Sequence, residues 1–257
     1  MPDLGRVLGV RKAEGARSFV PYVTGGLAGV DADLLRGLEE SGADAIEVGI
    51  PFSDPVMDGP VVQEASRRAL EDGATPSSVL GTIKEAGLGV PVAVMTYANP
   101  IWHAGHGSFL SACVDAGVSG VIVPDLPVDE AAGWVAACAT ASVSPVFLAA
   151  PDTAEERLRT IAEASGGFVY CVATYGVTGA RDRLAATAPE LVRRLRPATD
   201  LPLLVGVGIA GPAQAEQACA FADGVVVGSA LVQPLLEGDR SSTLGLTGSI
   251  AAAVHGG

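Results

Sequence analysis

The sequence predicts a single closed (β/α)8 TIM barrel with an extra helix after the second strand, formed by residues 1–257 as one domain. A short β-branched run, a loop with Gly or Pro and an amphipathic stretch recur eight times, and 257 residues is a usual size for this barrel. The strand-like runs are apolar throughout, as in a parallel sheet buried on both faces. No G-x-G-x-x-G string follows the first strand, which argues against an open doubly wound sheet.

The elements follow one another in a regular order. The predicted strands are Ser18–Val23, Ala45–Gly49, Val92–Thr96, Gly120–Val123, Val146–Leu148, Phe168–Val172, Leu203–Val205 and Gly224–Val227. The predicted helices are Ala32–Glu40, Val61–Leu70, Gly107–Ala116, Asp129–Ala141, Ala154–Ala164, Glu190–Leu195 and Pro212–Ala220. The extra helix lies near Ser77–Glu85. The tail from Asp239 to Gly257 is rich in small residues and predicts a last helix with a frayed end.

Composition excludes several classes of partner. Asp and Glu number 29 against 16 Lys and Arg, and the net charge of −13 repels nucleic acid and anionic membranes. No run reaches the roughly 18 to 20 apolar residues that span a bilayer. The N-terminus lacks the apolar core of a signal peptide, and the four cysteines are far apart, which is typical of buried thiols in a reducing compartment. We therefore expect a cytoplasmic protein.

The second strand carries a carboxylate inside an apolar run. Glu47 shares a strand face with Ala45 and Gly49, and this face points into the barrel near its rim. Desolvation favours the neutral acid there, which suits a general acid/base, whereas a structural Glu paired with a buried Arg or with backbone donors is the alternative. Asp54 and Asp58 follow in the next loop, where chemistry sits in this fold, although Asp54 also fits a simple turn.

Two glycine-rich turns predict a phosphate site. Gly206 and Gly208 end the seventh strand before Pro212 opens a helix, and Gly228-Ser229 forms the turn after the eighth strand. Glycines allow close backbone approach, and helix N-termini present unpaired N–H groups to an anion. The loops after these two strands commonly bind phosphate in this fold, although tight packing turns would give the same pattern.

Other motifs carry less weight. Gly176, Thr178 and Gly179 in the polar loop after the sixth strand predict a mobile lid, although a surface loop would look the same. His103 and His106 form an H-x-x-H string without Cys or acidic partners, so we expect solvated histidines and no metal site.

Seven segments between about residues 16 and 238 form a specific combination: SFVPYVTGG, GADAIEVGIPFSDPVMDGPVVQ, MTYANP, GVIVPDLPVDE, YGVTGAR, VGVGI and VVVGSALV. In this order they resemble the tryptophan synthase α subunit family. The resemblance implies a retro-aldol cleavage of indole-3-glycerol phosphate to indole and glyceraldehyde 3-phosphate. It implies no cofactor in this chain, since pyridoxal phosphate belongs to the β partner.

The resemblance also implies roles for individual residues. Glu47 matches the catalytic acid/base, and Asp58 matches the carboxylate that holds the indole N–H. The matching substrate-binding positions are Tyr22, Met95, Tyr97 and Val226 around the indole, and the backbone of Gly179, Gly208, Gly228 and Ser229 at the phosphate. Tyr170 matches the tyrosine beside the catalytic Glu, and Thr178 matches the lid threonine that meets the Asp when the lid closes. Asp54-Pro55 and the Asp125 to Pro127 turn match the surface that docks a tryptophan synthase β subunit in an α2β2 complex.

Some positions depart from the family pattern. Ala173 and Thr174 stand where the family commonly has Ser and Arg, and the TGGLAGV loop lacks the usual Asp-Pro. These departures leave open a stand-alone lyase that supplies indole to another pathway. A weakly active scaffold that activates a β subunit is a second alternative, but the intact Glu47 and Asp58 argue against it. A sugar-phosphate isomerase would share the phosphate turns without any need for the Asp58 motif.

Overall fold

A ring of parallel strands forms the centre of the computed structural model, which describes residues 2–172, 187–206 and 208–256. The strands β1 to β9 span Ser18–Thr24, Ile46–Gly49, Val92–Met95, Val118–Ile122, Ser144–Val146, Leu148–Ala149, Val169–Val172, Leu203–Gly206 and Gly224–Val227. They form one sheet in the order β5-β4-β3-β2-β1-β9-β8-β7-β6, so each crossover joins neighbouring parallel strands. The predicted barrel is confirmed.

The fifth predicted strand is divided into β5 and β6 at Phe147. β5 pairs with β4, whereas β6 pairs with β7, and the Tyr170 N–H donates to the Phe147 carbonyl at 3.0 Å. β5 and β6 are therefore the two ends of the strand order, and their connection at Phe147 closes the ring. This division explains why nine segments are found where eight were predicted.

The helices surround this ring. The helices α1 to α12 span Leu4–Ala13, Ala32–Glu40, Pro60–Glu71, Pro76–Ala86, Ala98–Ala104, His106–Ala116, Ala132–Ala141, Glu155–Ala164, Thr187–Leu195, Pro212–Cys219, Ser229–Leu236 and Arg240–His255. Both α3 and α4 follow β2, which confirms the extra helix. The sequence patterns did not predict α1 or α5, because α1 buries only Leu4 and Leu8 and α5 has only two turns.

Helix α1 closes the N-terminal end of the barrel. Leu4 and Leu8 are at most 1% exposed and pack among inward-facing strand residues such as Val20. A Cβ at Gly120 would lie 2.4 Å from Leu4 Cδ2, so the strand contributes a glycine to make room for the helix. The interior is therefore filled from this end, and a ligand has to enter at the C-terminal ends of the strands.

Helix α12 is a packed part of the fold. Its buried residues Ile250 and Val254 pack with Phe19 of β1, and the Thr243 hydroxyl donates to the Leu231 carbonyl at 3.1 Å. The last residue of the helix, His255, places Nε2 2.8 Å from an Asp44 carboxylate oxygen. The expected last helix is present, but the expectation of a frayed end is wrong, because an apolar face and a side-chain contact hold the helix in place.

Two further expectations concern membranes and thiols. Within the described ranges, no helix combines the length and the apolar character needed to cross a bilayer. All four cysteines are free and buried, as predicted, and burial raises the pKa of the Cys171 thiol to about 12.

Candidate active site

Glu47 lies inside the barrel on β2. In the strand register it stands beside Tyr22 of β1 and Ala93 of β3, and Ala93 belongs to the apolar interior. Glu47 is 1% exposed, and its Oε2 atom has no hydrogen-bond partner among the residues that the structure describes. Among the described residues no basic side chain forms an ion pair with it, which argues against a structural Glu paired with a buried cation.

Burial dominates the electrostatics of Glu47. Loss of hydration raises the pKa of its carboxyl to about 8, and the nearby charge of Asp58 acts in the same direction. The carboxyl is therefore protonated in the resting site at neutral pH. A buried acid with a free oxygen and a pKa close to working pH can both donate and accept a proton.

Asp58 reaches the same space from the loop between β2 and α3. Its backbone N–H donates to the Pro55 carbonyl at 3.0 Å, and its own carbonyl accepts from Gln63 Nε2 at 2.9 Å. Burial raises the pKa of the Asp58 carboxyl to about 6, while a hydrogen bond from the Tyr97 hydroxyl lowers it. The pKa of Asp58 therefore stays below that of Glu47, so the two carboxyls ionise at different pH values.

Tyr97 fixes the loop that carries Asp58. Its hydroxyl oxygen accepts the Met57 N–H at 3.0 Å, and its ring stacks on Phe52 with 5.1 Å between centroids. Tyr97 is itself buried at the start of α5. The predicted indole-pocket tyrosine thus also positions one of the two carboxylates.

Two more tyrosines complete the interior wall. The Tyr22 hydroxyl lies 3.3 Å from Thr24 Oγ1, and burial is the largest cause of the high pKa of Tyr22 and of Tyr170. A Cβ at Gly206 would lie 2.3 Å from the Tyr170 hydroxyl oxygen. Gly206, which was predicted to serve the phosphate turn, therefore makes room for Tyr170. Met95 and Val226 line the same interior, as predicted.

The predicted phosphate residues lie beside this wall. Gly208 follows β8 with φ +92°, a conformation that favours glycine, and no atom of the described residues lies within 4 Å of a Cβ built there. Gly228 caps the N-terminus of α11 and Ser229 is its first residue, so first-turn N–H groups point toward this end of the barrel. A Cβ at Gly228 would lie 3.3 Å from Tyr22 Cδ1. The ring of Tyr22 therefore lies between the predicted phosphate turn and the carboxylates.

The predicted interface residues lie on loops at the same mouth. Asp54 is exposed and accepts a 2.6 Å hydrogen bond from Ser53, whereas Asp125 Oδ1 accepts the Ala98 N–H at 2.9 Å and so ties its loop to α5. Pro55 is partly exposed and Pro127 is exposed. Asp125 therefore also serves a contact within this chain.

Sequence reasoning missed several residues. Large apolar side chains are exposed near these loops, namely Val56 at 76%, Met57 at 54% and Trp102 at 60%. Two consecutive apolar residues in an otherwise polar Asp-Pro-Val-Met-Asp loop were the signal that could have found the first two. Thr24 and Gly49, which contact Tyr22, had no recognisable pattern.

Other predictions fall elsewhere. Thr178 and Gly179 lie outside the described residues. His106 packs edge-on against Trp134 at 5.4 Å between ring centroids, which accounts for one histidine of the H-x-x-H string. In residues 2–172, 187–206 and 208–256, no group of three or more His, Cys, Asp or Glu residues is arranged to hold a metal ion.

Comparison with known proteins agrees with this geometry. Residues 9–250 match the family described as tryptophan synthase alpha chain. The alpha chain of Streptomyces avermitilis is 41% identical, covering 99% of this chain and 95% of the relative, and that of Thermobifida fusca is 43% identical, covering 92% and 90%.

Solved structures show the same relationship. Tryptophan synthase of Mycobacterium tuberculosis superposes with a TM-score of 0.89 at 42% identity over 98% of both chains. The alpha subunit of Legionella pneumophila gives 0.86 at 33% identity over 99% and 98%. The match extends past the motifs at both ends and includes α12. The chain therefore belongs to the tryptophan synthase alpha chain family, and it is a lyase of tryptophan biosynthesis.

Proposed function

We propose that this chain cleaves indole-3-glycerol phosphate to indole and glyceraldehyde 3-phosphate, with Glu47 as acid/base and Asp58 as the partner of the indole N–H. The observation that carries this proposal is the buried, unpaired Glu47 carboxyl beside Asp58 at the open end of the barrel. Because the two carboxyls differ in pKa, one holds a proton while the other is an anion at neutral pH.

The reaction needs these two states. Protonation of indole C3 by Glu47 makes that carbon tetrahedral and leaves a positive charge on the ring nitrogen. The Asp58 carboxylate stabilises this charge in a site where little water weakens the attraction. The C–C bond to the glycerol then breaks, its electrons restore the aromatic ring, and the glycerol hydroxyl gives its proton to Glu47 as the aldehyde forms. Atoms and charges balance, and Glu47 is protonated again.

The phosphate end is bound by backbone groups. Gly208, Gly228 and Ser229 bring open backbone and helix N–H groups to one side of the Tyr22 ring. Thr178 and Gly179 remain proposed contacts from the family resemblance alone. Only proton transfers are needed, so we propose that the chain uses no metal or organic cofactor and that pyridoxal phosphate belongs to the partner.

A tryptophan synthase β subunit is the proposed protein partner. The loop with Asp54, Val56 and Met57 is joined to α5 through the Met57–Tyr97 bond, and α5 carries Trp102. This surface exposes three of the five large apolar side chains that are exposed in the described residues. A partner here would press on the loop that holds Asp58, which would link docking to catalysis. The buried free thiols support a cytoplasmic location.

An indole-release assay tests the proposal. The purified chain should release indole from indole-3-glycerol phosphate, and Glu47→Gln and Asp58→Asn should each lose most of this activity while melting as cooperatively as the wild type. Titration with a β subunit should raise the rate. No indole from the wild type, with and without the β subunit, would contradict the lyase proposal, whereas a flat titration would favour the stand-alone enzyme.

A further inference from the structure

Two hydroxyl groups in the barrel mouth bond each other while a carboxyl nearby stays unpaired. The Tyr22 hydroxyl lies 3.3 Å from Thr24 Oγ1, and Tyr22 and Thr24 are 5% and 0% exposed. Either oxygen could donate in this pair, and we assign Tyr22 as the donor and Thr24 as the acceptor because a phenol is a stronger proton donor than an aliphatic alcohol. Thr24 therefore holds the Tyr22 proton on the β1 side of the site.

The Tyr22 oxygen lies close to the face of β2 that carries Glu47. A Cβ at Gly49 would lie 2.2 Å from that oxygen. Gly49 follows Glu47 by two residues, so the two residues share one face of the strand. Tyr22 and Glu47 are also partners in the strand register. Without its bond to Thr24, the Tyr22 hydroxyl would have the Glu47 carboxyl as a neighbouring acceptor.

The titratable groups of the described residues that face Glu47 are all acids. Asp58 comes from the loop after β2, Tyr22 from β1 and Tyr170 from β7, with Tyr97 adjoining Asp58. In the described part of the chain, no Lys, Arg or His acts on this group of side chains. Glu47 Oε2 has no partner among the described residues, and the charge of Glu47 acts on the Tyr22 hydroxyl.

We propose that Thr24 is a positioning residue of the lyase site: its hydroxyl keeps the Tyr22 proton away from Glu47, so that Glu47 remains free to exchange its proton with the substrate. This inference rests on the proposed function of Glu47. When the Thr24 oxygen is removed, the Tyr22 hydroxyl turns to the carboxylate and donates to it. A hydrogen bond to the charged form favours that form, so Glu47 becomes a weaker base and holds its proton less tightly.

A four-enzyme comparison tests the proposal through the pH dependence of indole release. The enzymes are the wild type, Thr24→Val, Tyr22→Phe and the double variant, and Thr24→Val is close to isosteric. We expect Thr24→Val to move the Glu47 ionisation in the kcat profile to lower pH by about one unit. The double variant has no phenolic proton to redirect and should return to the midpoint of Tyr22→Phe. Thr24→Ser retains the hydroxyl and should keep the wild-type midpoint.

Two results would overturn the proposal: an unchanged midpoint in Thr24→Val, or the same shift in the double variant relative to Tyr22→Phe. Thr24→Ala also removes the oxygen and replaces Thr24→Val if that variant melts without a cooperative transition. A 13C NMR titration of the Glu47 carboxyl carbon measures the same shift without turnover. It therefore tests the Thr24 contact even if the wild type releases no indole, an outcome that would contradict the proposed function alone.

Discussion

The Tyr170 hydroxyl occupies the space beside Gly206 that any larger residue would need. A Cβ at Gly206 would lie 2.3 Å from the Tyr170 oxygen and 2.5 Å from its Cζ. The two residues lie on neighbouring strands, β8 and β7, and the charge of Glu47 acts on Tyr170. The position of Tyr170 beside Glu47, the proposed acid/base, therefore depends on Gly206 having no side chain.

Gly206→Ala should displace Tyr170 and lower kcat/KM for indole release by about 10- to 100-fold, because small misplacements near reacting groups cost this much. Gly81→Ala is the matched control, since no atom lies within 4 Å of a Cβ at Gly81 on α4. The control should retain full activity and melt at or slightly above the wild-type temperature, because alanine is the better helix former. Wild-type kinetics in Gly206→Ala would show that Tyr170 has no part in the reaction.

Glu47→Gln should abolish indole release and change the pH dependence of stability. The pKa of Glu47 is about 8 in the folded protein against 4.5 for an unperturbed Glu, so the folded state holds a proton that the unfolded chain releases between these values. Wild-type stability is therefore lost as the pH rises from about 4.5 to about 8.

The glutamine does not titrate, so Glu47→Gln should have a higher melting temperature than the wild type at pH 8 and nearly the same one at pH 4.5. Each kcal/mol of difference in the free energy of unfolding corresponds to roughly 2–4 °C. Indole release should fall by about 10²- to 10⁴-fold. Thermal melts at both pH values check the first effect. A constant difference between variant and wild type at all pH values would contradict the raised pKa.

Tyr97→Phe should raise the pKa of Asp58 above its value of about 6, because the Tyr97 hydroxyl lowers it. If the ionised Asp58 stabilises the indole cation, the acidic limb of kcat/KM moves to higher pH. Phe52→Leu is the matched control, since it removes the stacking on Tyr97 but leaves the hydroxyl in place. It should lower the melting temperature without moving the limb. Equal shifts in both variants would mean that loop packing, not the hydroxyl, sets the pKa.

Gly228→Val should weaken the binding of glycerol phosphate analogues while indole binds about as before. A Cβ at this position would already lie 3.3 Å from Tyr22 Cδ1, and the branched side chain also obstructs the first turn of α11. Calorimetric titration of each ligand separates the two effects. An equal loss for indole and for the phosphate analogue would point to a general disturbance of the barrel and against the phosphate assignment.

Trp102→Ala should weaken the complex with a β subunit and reduce the activation of the lyase by that subunit. Exposed aromatic side chains contribute strongly to protein interfaces when a partner buries them. Val114→Ala is the control, because Val114 is 37% exposed on α6 and lines a groove with Pro2 and Val92 toward the closed end of the barrel. Sedimentation and rate titrations compare the two. Equal affinity in both variants would place the interface elsewhere.

The sequence by itself determined the strand–helix repeat and the chemical character of the residues near the C-terminal ends of the strands. Apolar strand runs alternate with amphipathic stretches, a pattern that predicts a parallel sheet buried on both faces. Eight repeats in 257 residues, with no G-x-G-x-x-G string after the first strand, favour the closed barrel over an open sheet. Glu47 inside an apolar run already indicated a desolvated acid, and Gly208 and Gly228 already indicated backbone exposed to an anion. These are local signals, readable from neighbours along the chain.

Only the tertiary structure decided the contacts between distant segments. The role of Gly206 depends on Tyr170, that of Gly49 on Tyr22, and neither pair has a sequence spacing that links them. Helix α1 closes the N-terminal end of the barrel because Leu4 and Leu8 pack against residues of several strands, from Val20 of β1 to Val226 of β9. The amino-acid sequence gives the type of each residue. Contacts between residues that are distant in the chain form only when the barrel closes, because packing and burial depend on the closed ring.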